Sequence, residues 1–313
     1  MKILFGGVRG STPCAEPETT RYGGHTTCLL VTGRGGELLL LDAGSGIRTV
    51  APQLETVAAT GAGSDQEPHR LFILLTHLHL DHLLGLPMLP VLHDERWHVT
   101  IAGVRPAAGG SLRDVLDRLL SPPVWPFVLE DFAATVRVRE LDPPEGDSPA
   151  AASAPSLSPS LSLGGLEIHG VPVPHPNGCT AWRIDEAATQ TSLVFATDME
   201  WSAADARKRQ QFLDLCARPQ PTDLLVMDGH FAPDELAARA GWGHSSTAEC
   251  VDVARRSGAG RLLVTHHAPG NGDERLDAMA TEVRGLWKHA DLARQGQEID
   301  LDPDASSRKE SRS

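Results

Sequence analysis

The sequence has few cysteines, and none of them form a closely spaced pair. Its five cysteines (Cys14, Cys28, Cys179, Cys216 and Cys250) are scattered along 313 residues. A disulfide-stabilised secreted domain carries an even number of cysteines at short spacings, so this set argues against that class. We expect reduced thiols in a cytoplasmic protein, with Cys14 and Cys28 acting as small packing residues.

Long apolar segments and an excess of basic charge are also missing. No run of about 18 apolar residues is present, so we expect no membrane span, and the opening MKILFGGVRGSTPC lacks the apolar core of a signal peptide. With 28 Lys and Arg against 41 Asp and Glu, the net charge is −13. This balance argues against a general electrostatic grip on large RNA. Bound divalent metal ions would still supply a local positive site.

Short apolar runs alternate with helix-like segments along most of the chain, which indicates a layered α/β or α+β domain. The predicted strands are Lys2–Phe5, Thr27–Thr32, Glu37–Asp42, Leu71–Thr76, Val99–Ala102, Thr135–Leu141, Leu166–Val173, Ala181–Asp185, Ser192–Ala196, Asp223–Met227 and Arg261–Thr265. The predicted helices are Gly46–Ala59, His82–His93, Ser111–Leu120, Ala203–Ala217, Asp234–Ala240, Ser246–Ser257 and Asp273–Leu292.

We interpret residues 1–301 as a single domain with one insertion. The segment 142–165 is dense in Pro, Ala and Ser, and this composition predicts a loop without a packed helix or a paired strand. Because candidate functional histidines lie on both sides of it, an insertion is favoured over a domain boundary. The polar tail 302–313 is predicted to be disordered.

The stretch LLTHLHLDHLLG, Leu74 to Gly85, places metal-binding residue types directly after an apolar strand. Alternate residues of a strand share one face, so His77 and His79 can converge on one ion. Asp81 and His82 lie in the following turn and can face a second ion. Imidazole and carboxylate ligands suit zinc, and also manganese or iron. The alternative, a chance cluster of exposed loop histidines, is disfavoured by so specific a pattern.

Further histidines and aspartates follow other apolar strands. His175 lies after an alternating run and between prolines, Asp198 ends the strand in SLVFATD, and His266 and His267 end RLLVTHH. His169 lies within a strand and is expected to be structural. Each strand-end residue alone could be an ordinary polar residue, but their recurrence alongside the first motif favours a shared site.

In their order and spacing, these motifs resemble the metallo-β-lactamase superfamily over nearly the whole chain. The resemblance implies a four-layer αββα sandwich with two divalent metal ions, zinc first among the candidates, at one edge of the sheets. It assigns one ion to His77, His79 and His175, the other to Asp81, His82 and His266, and a bridging position to Asp198. His267 is the alternative to His266 as the last ligand.

Two further stretches resemble the phosphodiesterase and tRNase Z-like branch of that superfamily. They are the glycine-rich opening GGVRGSTPCAEPETTRYGGHTTCLLV, and DLLVMDGHFAPDEL followed by GWGHSSTAECVDVARRSGAGRLLVTHHAPG. This resemblance implies that His244 assists phosphodiester cleavage and that the carboxylate of Asp228 supports it. Ser245 or Ser246 can also cap the following helix, with Glu249 completing a capping box.

The chain departs from this branch in three ways. His25 stands where the opening motif often has Asn, and it either approaches the metals or packs. The long basic arm with which tRNase Z enzymes clamp tRNA is not apparent. The C-terminal Cys or His patterns of true β-lactamases, glyoxalases and flavodiiron proteins are absent.

The sequence therefore predicts a dinuclear metal hydrolase that cleaves a cyclic nucleotide or another small nucleotide diester. Hydroxide held by the two ions would attack phosphorus. Asp81 would orient the nucleophile or accept its proton, and His244 would stabilise the transition state or protonate the leaving oxygen. Backbone N–H groups of Gly6–Ser11 are expected to meet a substrate phosphate. The alternatives are a lactone, thioester or sulfate ester hydrolase, a tRNase Z-like ribonuclease, and a non-catalytic metal sensor. A homodimer is compatible with the sequence.

Overall fold

The computed structural model describes residues 1–60, 68–106, 109–142 and 160–302. Its strands are β1 (Lys2–Gly7), β2 (Cys28–Thr32), β3 (Leu38–Leu41), β4 (His69–Leu74), β5 (Trp97–Val104), β6 (Thr135–Leu141), β7 (Ser160–Leu163), β8 (Leu166–Val173), β9 (Cys179–Glu186), β10 (Thr191–Ala196), β11 (Leu224–Asp228), β12 (Arg261–Thr265), β13 (Ala290–Leu292) and β14 (Glu298–Asp300). Its α-helices are α1 (Ile47–Thr60), α2 (Leu112–Leu119), α3 (Ala206–Ala217), α4 (Thr247–Ser257) and α5 (Asp273–Leu286).

The strands form two sheets of seven. The first has the order β14-β1-β2-β3-β4-β5-β6, and the second has the order β13-β12-β11-β10-β9-β8-β7. Within each sheet four neighbouring strands run parallel, β3 to β6 in the first and β10 to β13 in the second. Parallel strands are covered on both faces, which explains their continuous apolar runs, such as Leu38–Leu41.

The two sheets pack face to face and are covered by helices on their outer faces. The core between the sheets includes Phe5 and Leu39 from one sheet and Ile184 and Leu263 from the other. Helices α1 and α2 cover the outer face of the first sheet, and α3, α4 and α5 cover that of the second. The layers are therefore αββα, and the predicted fold class is confirmed.

All eleven predicted strands are present, with ends within about two residues of the prediction, the usual uncertainty of such boundaries. Three further strands were not predicted, namely β7, β13 and β14. Each lies at the edge of a sheet and is only three or four residues long. Such short strands are stabilised by pairing with the neighbouring strand, and they carry no distinct apolar pattern of their own.

The predicted loop 142–165 is wrong at its end, because Ser160–Leu163 forms β7 and pairs antiparallel with β8. Its residues 143–159 lie outside the described part of the chain. The same holds for residues 303–313 of the predicted tail, whereas Asp302 forms an ion pair with Arg34.

The predicted helix His82–His93 is wrong. The segment instead holds three short 3-10 helices, Leu80–His82, Leu86–Met88 and Pro90–His93. Pro87 and Pro90 have no backbone N–H to donate to a carbonyl four residues earlier, so a continuous α-helix cannot form across them.

Two other helices are shorter than predicted. Asp273–Leu292 ends at Leu286 and is followed by the edge strand Ala290–Leu292, while Asp234–Ala240 contains only the 3-10 helix Leu236–Arg239. The remaining four predicted helices correspond to α1, α2, α3 and α4. Within the described ranges, none of the helices combines the length and the apolar character needed to cross a membrane.

The core between the sheets should dominate the free energy of unfolding. Ile184 is fully buried there, so Ile184→Ala is expected to lower that free energy by about 2–5 kcal/mol through lost burial and a residual cavity. Leu286→Ala is the control, because Leu286 is 53% exposed at the end of α5. Urea unfolding measures both, and equal effects would contradict this account of the core.

Candidate metal centre

Strand ends from both sheets meet at one edge of the sandwich. Ligands commonly bind at such an edge, outside the carboxyl ends of parallel strands. The residues that end these strands or follow them closely are Asp42 after β3, His77 after β4, His175 after β8, Asp198 after β10, Asp228 at the end of β11 and His266 after β12.

The structure brings the sequence-predicted metal residues into two adjoining groups. The members of each group offer ligand atoms that all lie within 4.8 Å of one another. The first group is His77, His79, His175 and Asp198, and the second is Asp81, His82 and His266. The histidines and Asp81 are grouped as in the ligand sets that the family resemblance implies, and the assignment of ions to them stays a prediction.

Asp198 lies between the two groups and turns one carboxylate oxygen to each. Its Oδ1 is 3.8 Å from His77 Nε2 and 3.7 Å from His175 Nε2. Its Oδ2 is 3.0 Å from His82 Nε2 and 3.1 Å from His266 Nε2. A carboxylate in this position can bridge two cations.

The bends that deliver these side chains are strained. Asp42, Asp198 and His266 have φ values of 59°, 54° and 60°, in the left-handed region that disfavours side chains. Such a conformation costs about 1–3 kcal/mol per residue and persists where the surrounding structure over-determines it, typically at functional sites.

Asp42 fixes the orientation of His82, and the sequence analysis missed it. His82 Nδ1 donates a hydrogen bond to Asp42 Oδ2 over 2.8 Å, which turns Nε2 towards Asp198. Asp42 in turn accepts hydrogen bonds from the backbone N–H and the hydroxyl of Thr76. Carboxylate–histidine pairs of this kind orient metal ligands. The only sequence signal was an aspartate at the end of a strand, where polar residues are common.

The other imidazoles are oriented in the same way. His175 Nδ1 donates to the carbonyl of Gly243 over 2.9 Å, and His77 Nδ1 lies 3.1 Å from the hydroxyl of Thr76. Their Nε2 atoms face Asp198 as a result. Nε2 of His77 is buried without a hydrogen-bond partner, and Nε2 of His82 faces the carboxylates of Asp198 and Asp81 at 3.0 and 3.3 Å. Unpartnered buried lone pairs beside carboxylates fit a bound cation.

The local charges favour a cation at this centre. Burial lowers the pKa of His77, His79 and His175, and neutral imidazole is the form that binds metals. Burial alone would also lower the pKa of His82, but three surrounding carboxylates, led by Asp198, raise it well above its usual value. The same carboxylates would stabilise a divalent cation in place of that proton.

The structure separates the two residues of the His266–His267 doublet. His266 joins the second group, with Nε2 at 3.3 Å from Asp81 Oδ2. His267 points away and donates from Nε2 to the carbonyl of Ala293. His25 contacts the hydroxyl of Ser45 and belongs to neither group, and His169 lies within β8 as expected.

Asp228 and His244 form a buried pair next to the metal groups. His244 Nδ1 donates to Asp228 Oδ2 over 2.8 Å and lies 4.0 Å from Asp198 Oδ1. Burial opposes protonation of His244, but the charge and hydrogen bond of Asp228 outweigh it and raise its pKa to about 9. Ser246 caps α4 in a capping box with Glu249, as the sequence also predicted.

His230 is a second residue that the sequence analysis missed. Its ring stacks on that of His244 at a centroid distance of 4.4 Å, and its Nδ1 donates to the carbonyl of His266. Burial is the main cause that lowers its pKa to about 4, so it is neutral beside the charged His244. Its position two residues beyond Asp228 was visible in DGHF, but only the fold shows that it packs on His244.

The glycine-rich opening reaches the metal centre, but its backbone N–H groups do not have the predicted role of donating to a substrate phosphate. The backbone N–H of Ser11 donates to Asp81 Oδ2 over 2.8 Å, so it orients a site carboxylate rather than standing free for a substrate phosphate. Gly10 lies so close to His266 that a Cβ there would be 2.5 Å from the imidazole ring. Cys28 is buried in the core, as expected, and Cys14 is partly exposed.

Comparison with known proteins agrees with this fold. The profile of the family described as Beta-lactamase superfamily domain matches residues 38–267. A ribonuclease Z of Haloarcula marismortui is 24% identical over 293 residues, which cover 85% of this chain and 86% of that protein.

Solved structures share the fold over nearly the whole length. Human tRNase Z, short form, superposes with a TM-score of 0.60 at 17% identity, covering 96% of this chain and 99% of that one. A diphosphatase of the PhnP family also gives a TM-score of 0.60 at 17% identity, covering 96% and 97%.

The geometry predicts two ions per chain, both of which depend on Asp198. After loading with zinc and dialysis, elemental analysis of the unchanged protein should find two zinc ions per chain. Asp198→Ala should lose most of both, because its two oxygens face the two groups.

His25→Ala is the matched control, because that histidine belongs to neither group, and it should keep both ions. Circular dichroism checks that each variant is folded. A folded Asp198→Ala variant that retains two tightly bound ions would contradict the bridging position.

Proposed function

This chain belongs to the beta-lactamase superfamily, and from that premise we propose that it is a dinuclear metal-dependent hydrolase of small nucleotide phosphodiesters. The observation that carries the proposal is the buried Asp228–His244 pair beside the two metal groups. Two metals alone serve many hydrolases, whereas a charged imidazole at this position suits a reaction with an anionic transition state.

Zinc is the proposed metal, with manganese and iron as alternatives, and cytoplasm is the proposed location. His77, His79 and His175 would hold one ion, and Asp81, His82 and His266 the other, with Asp198 shared. Two such ions supply Lewis acidity towards the phosphoryl oxygens and acidify water for the attack on phosphorus.

Asp81 is proposed to orient the attacking water. Burial opposes its ionisation, but the neighbouring imidazole of His82 and the hydrogen bonds of His266 and His82 hold its pKa well below the usual range. It is therefore a carboxylate at neutral pH and can accept a hydrogen bond. The N–H of Ser11 fixes its Oδ2, which limits the directions from which water can approach.

His244 is proposed to serve the leaving group. With a pKa of about 9 it is an imidazolium at neutral pH. Nδ1–H is given to Asp228, which leaves the proton on Nε2 for the non-bridging or leaving oxygen of the phosphodiester. Stacked His230 holds the ring from one side and Asp228 holds it at one edge, so the proton donor has a fixed direction.

The names of similar proteins support cleavage of a bond between phosphorus and oxygen. The curated relative is called ribonuclease Z and one structural neighbour is called a diphosphatase. A small diester is favoured over folded RNA because the chain has a net charge of −13 and no apparent basic arm.

His244→Ala should lower kcat/KM for bis(p-nitrophenyl) phosphate by about 10²–10⁴, the usual contribution of a general acid. The variant should still bind two metal ions, because His244 is not among the residues proposed to hold them. Release of p-nitrophenolate by the zinc-loaded protein measures this, with elemental analysis alongside.

His25→Ala serves again as the control and should keep wild-type turnover. Two results would contradict the phosphodiesterase assignment. One is a His244→Ala variant as active as the unchanged protein. The other is an unchanged protein that hydrolyses a lactone or a thioester but no phosphodiester.

A second candidate function is RNA processing, which the ribonuclease Z relatives favour. The expectation that large RNA is an unlikely partner conflicts in part with those names, so it needs a direct test. We predict that the zinc-loaded protein hydrolyses 2′,3′-cyclic nucleotides with a higher kcat/KM than it cleaves precursor tRNA. A higher kcat/KM for precursor tRNA than for the cyclic nucleotides, measured in parallel single-turnover and steady-state assays, would identify the protein as a ribonuclease instead.

A further inference from the structure

A buried carboxylate fixes the loop that precedes His244. Glu200 is 5% exposed, and its two oxygens accept hydrogen bonds from the backbone N–H groups of Gly241 and Gly243, each over 2.8 Å. The two donors flank Trp242 on either side. The loop is therefore held by charge-assisted hydrogen bonds at both neighbours of one tryptophan.

The clamped loop presents Trp242 to solvent. Gly241 and Gly243 have φ values of 86° and 89°, which a side chain would strain, so this backbone depends on glycine at both positions. Trp242 is 62% exposed, although a large aromatic ring gains most when it is covered. An exposed indole on a constrained backbone has its ring faces available to a ligand.

The backbone that carries this ring adjoins the metal centre. Its neighbour Gly243 packs so tightly that an added Cβ would be 2.3 Å from Nδ1 of His175 and 2.5 Å from Cδ of Pro176. The carbonyl of Gly243 is also the acceptor for His175 Nδ1. On the other side, His244 follows within two residues.

A guanidinium group adjoins the indole. Cζ of Arg239 lies 5.9 Å from the ring centroid of Trp242 and 5.1 Å from that of Phe231. Phe231 itself packs against the ring of His244. Arg239 also lies 3.8 Å from Glu235, so its charge is shared between the carboxylate and the two aromatic faces. An indole with a guanidinium beside it can bind a flat aromatic ring by stacking, with a cation–π contribution from the arginine.

We propose that Trp242 is a specificity-determining residue on which the nucleobase of the substrate stacks while the phosphodiester lies at the metal centre. The proposal rests on the proposed function, and it adds which part of a nucleotide the chain recognises. Because every base has an aromatic face, stacking here would favour nucleotides over plain phosphodiesters without selecting one base.

Two esters with the same leaving group test the proposal. Thymidine 5′-(p-nitrophenyl phosphate) carries a nucleobase, and methyl p-nitrophenyl phosphate does not. For Trp242→Ala, the ratio of kcat/KM for the first ester to that for the second should fall roughly 10- to 100-fold, the effect of losing one base–aromatic stack. The loss should lie in KM rather than in kcat, because stacking binds substrate and transition state alike.

Two further variants sharpen the test. Trp242→Phe should recover most of the ratio because it restores an aromatic face. Leu286→Ala removes another exposed apolar side chain, on α5, and should leave the ratio at the wild-type value. A ratio that Trp242→Ala leaves unchanged, or that Trp242→Phe lowers as far as Trp242→Ala, would overturn the proposal.

Binding separates this proposal from the proposed function. If the unchanged zinc-loaded protein cleaves neither ester, the phosphodiesterase assignment fails, and calorimetric titration with AMP and with methyl phosphate decides the role of Trp242. If Trp242→Ala weakens the binding of AMP roughly 10-fold more than it weakens the binding of methyl phosphate, the stack is supported. Equal effects on both ligands, or no effect on either, overturn it.

Discussion

The whole site depends on one buried carboxylate that must satisfy two groups of histidines at once. Asp198 is buried just after β10, and its oxygens lie within 4 Å of the imidazole nitrogens of four histidines from three other segments. A charge in that position is tolerated only where opposite charge surrounds it. The two sheets therefore have to meet in one register, because a shift of either would leave this carboxylate uncompensated. The strained backbone of Asp198 is a local cost of that requirement.

Around this carboxylate, a further set of residues determines which nitrogen of each histidine faces the centre. An imidazole N–H is donated to Asp42, to the carbonyl of Gly243 and to Asp228. The hydroxyl of Thr76 lies within hydrogen-bond distance of a further imidazole nitrogen. The chemistry proposed here depends on those partners as much as on the ligands. An imidazole in the wrong tautomer would present an N–H where a lone pair is needed. Backbone carbonyl groups and carboxylates thus divide the histidines into metal-facing bases and one proton-bearing acid.

The sequence was sufficient for features that are local in the chain and insufficient for those created by distant contacts. His77, His79, Asp81 and His82 stand within six residues, and the buried parallel strands are continuous apolar runs, so both could be predicted. The edge strand Ser160–Leu163 could not, because pairing with β8 stabilises it. Asp42 and His230 looked like ordinary strand-end residues, since their importance comes from contacts with His82 and with His244. The helix predicted over His82–His93 was an error of a different kind, because Pro87 and Pro90 were visible in the sequence and already excluded it.

The hydrogen-bond-length contact between His266 and Asp81 joins residues 185 positions apart. During synthesis, the segment from His77 to His82 leaves the ribosome long before His266 does, and it carries four of the seven predicted ligands in one contiguous stretch. A cation that meets the growing chain would find only this partial set, since the complete site requires both sheets to be docked. The entropy lost in closing so long a loop has to be offset by the packing of both sheets. Capture of metal by the complete set of ligands would therefore follow the docking of the two sheets, and the supply of ions in the cell would influence the yield of folded protein as well as its activity.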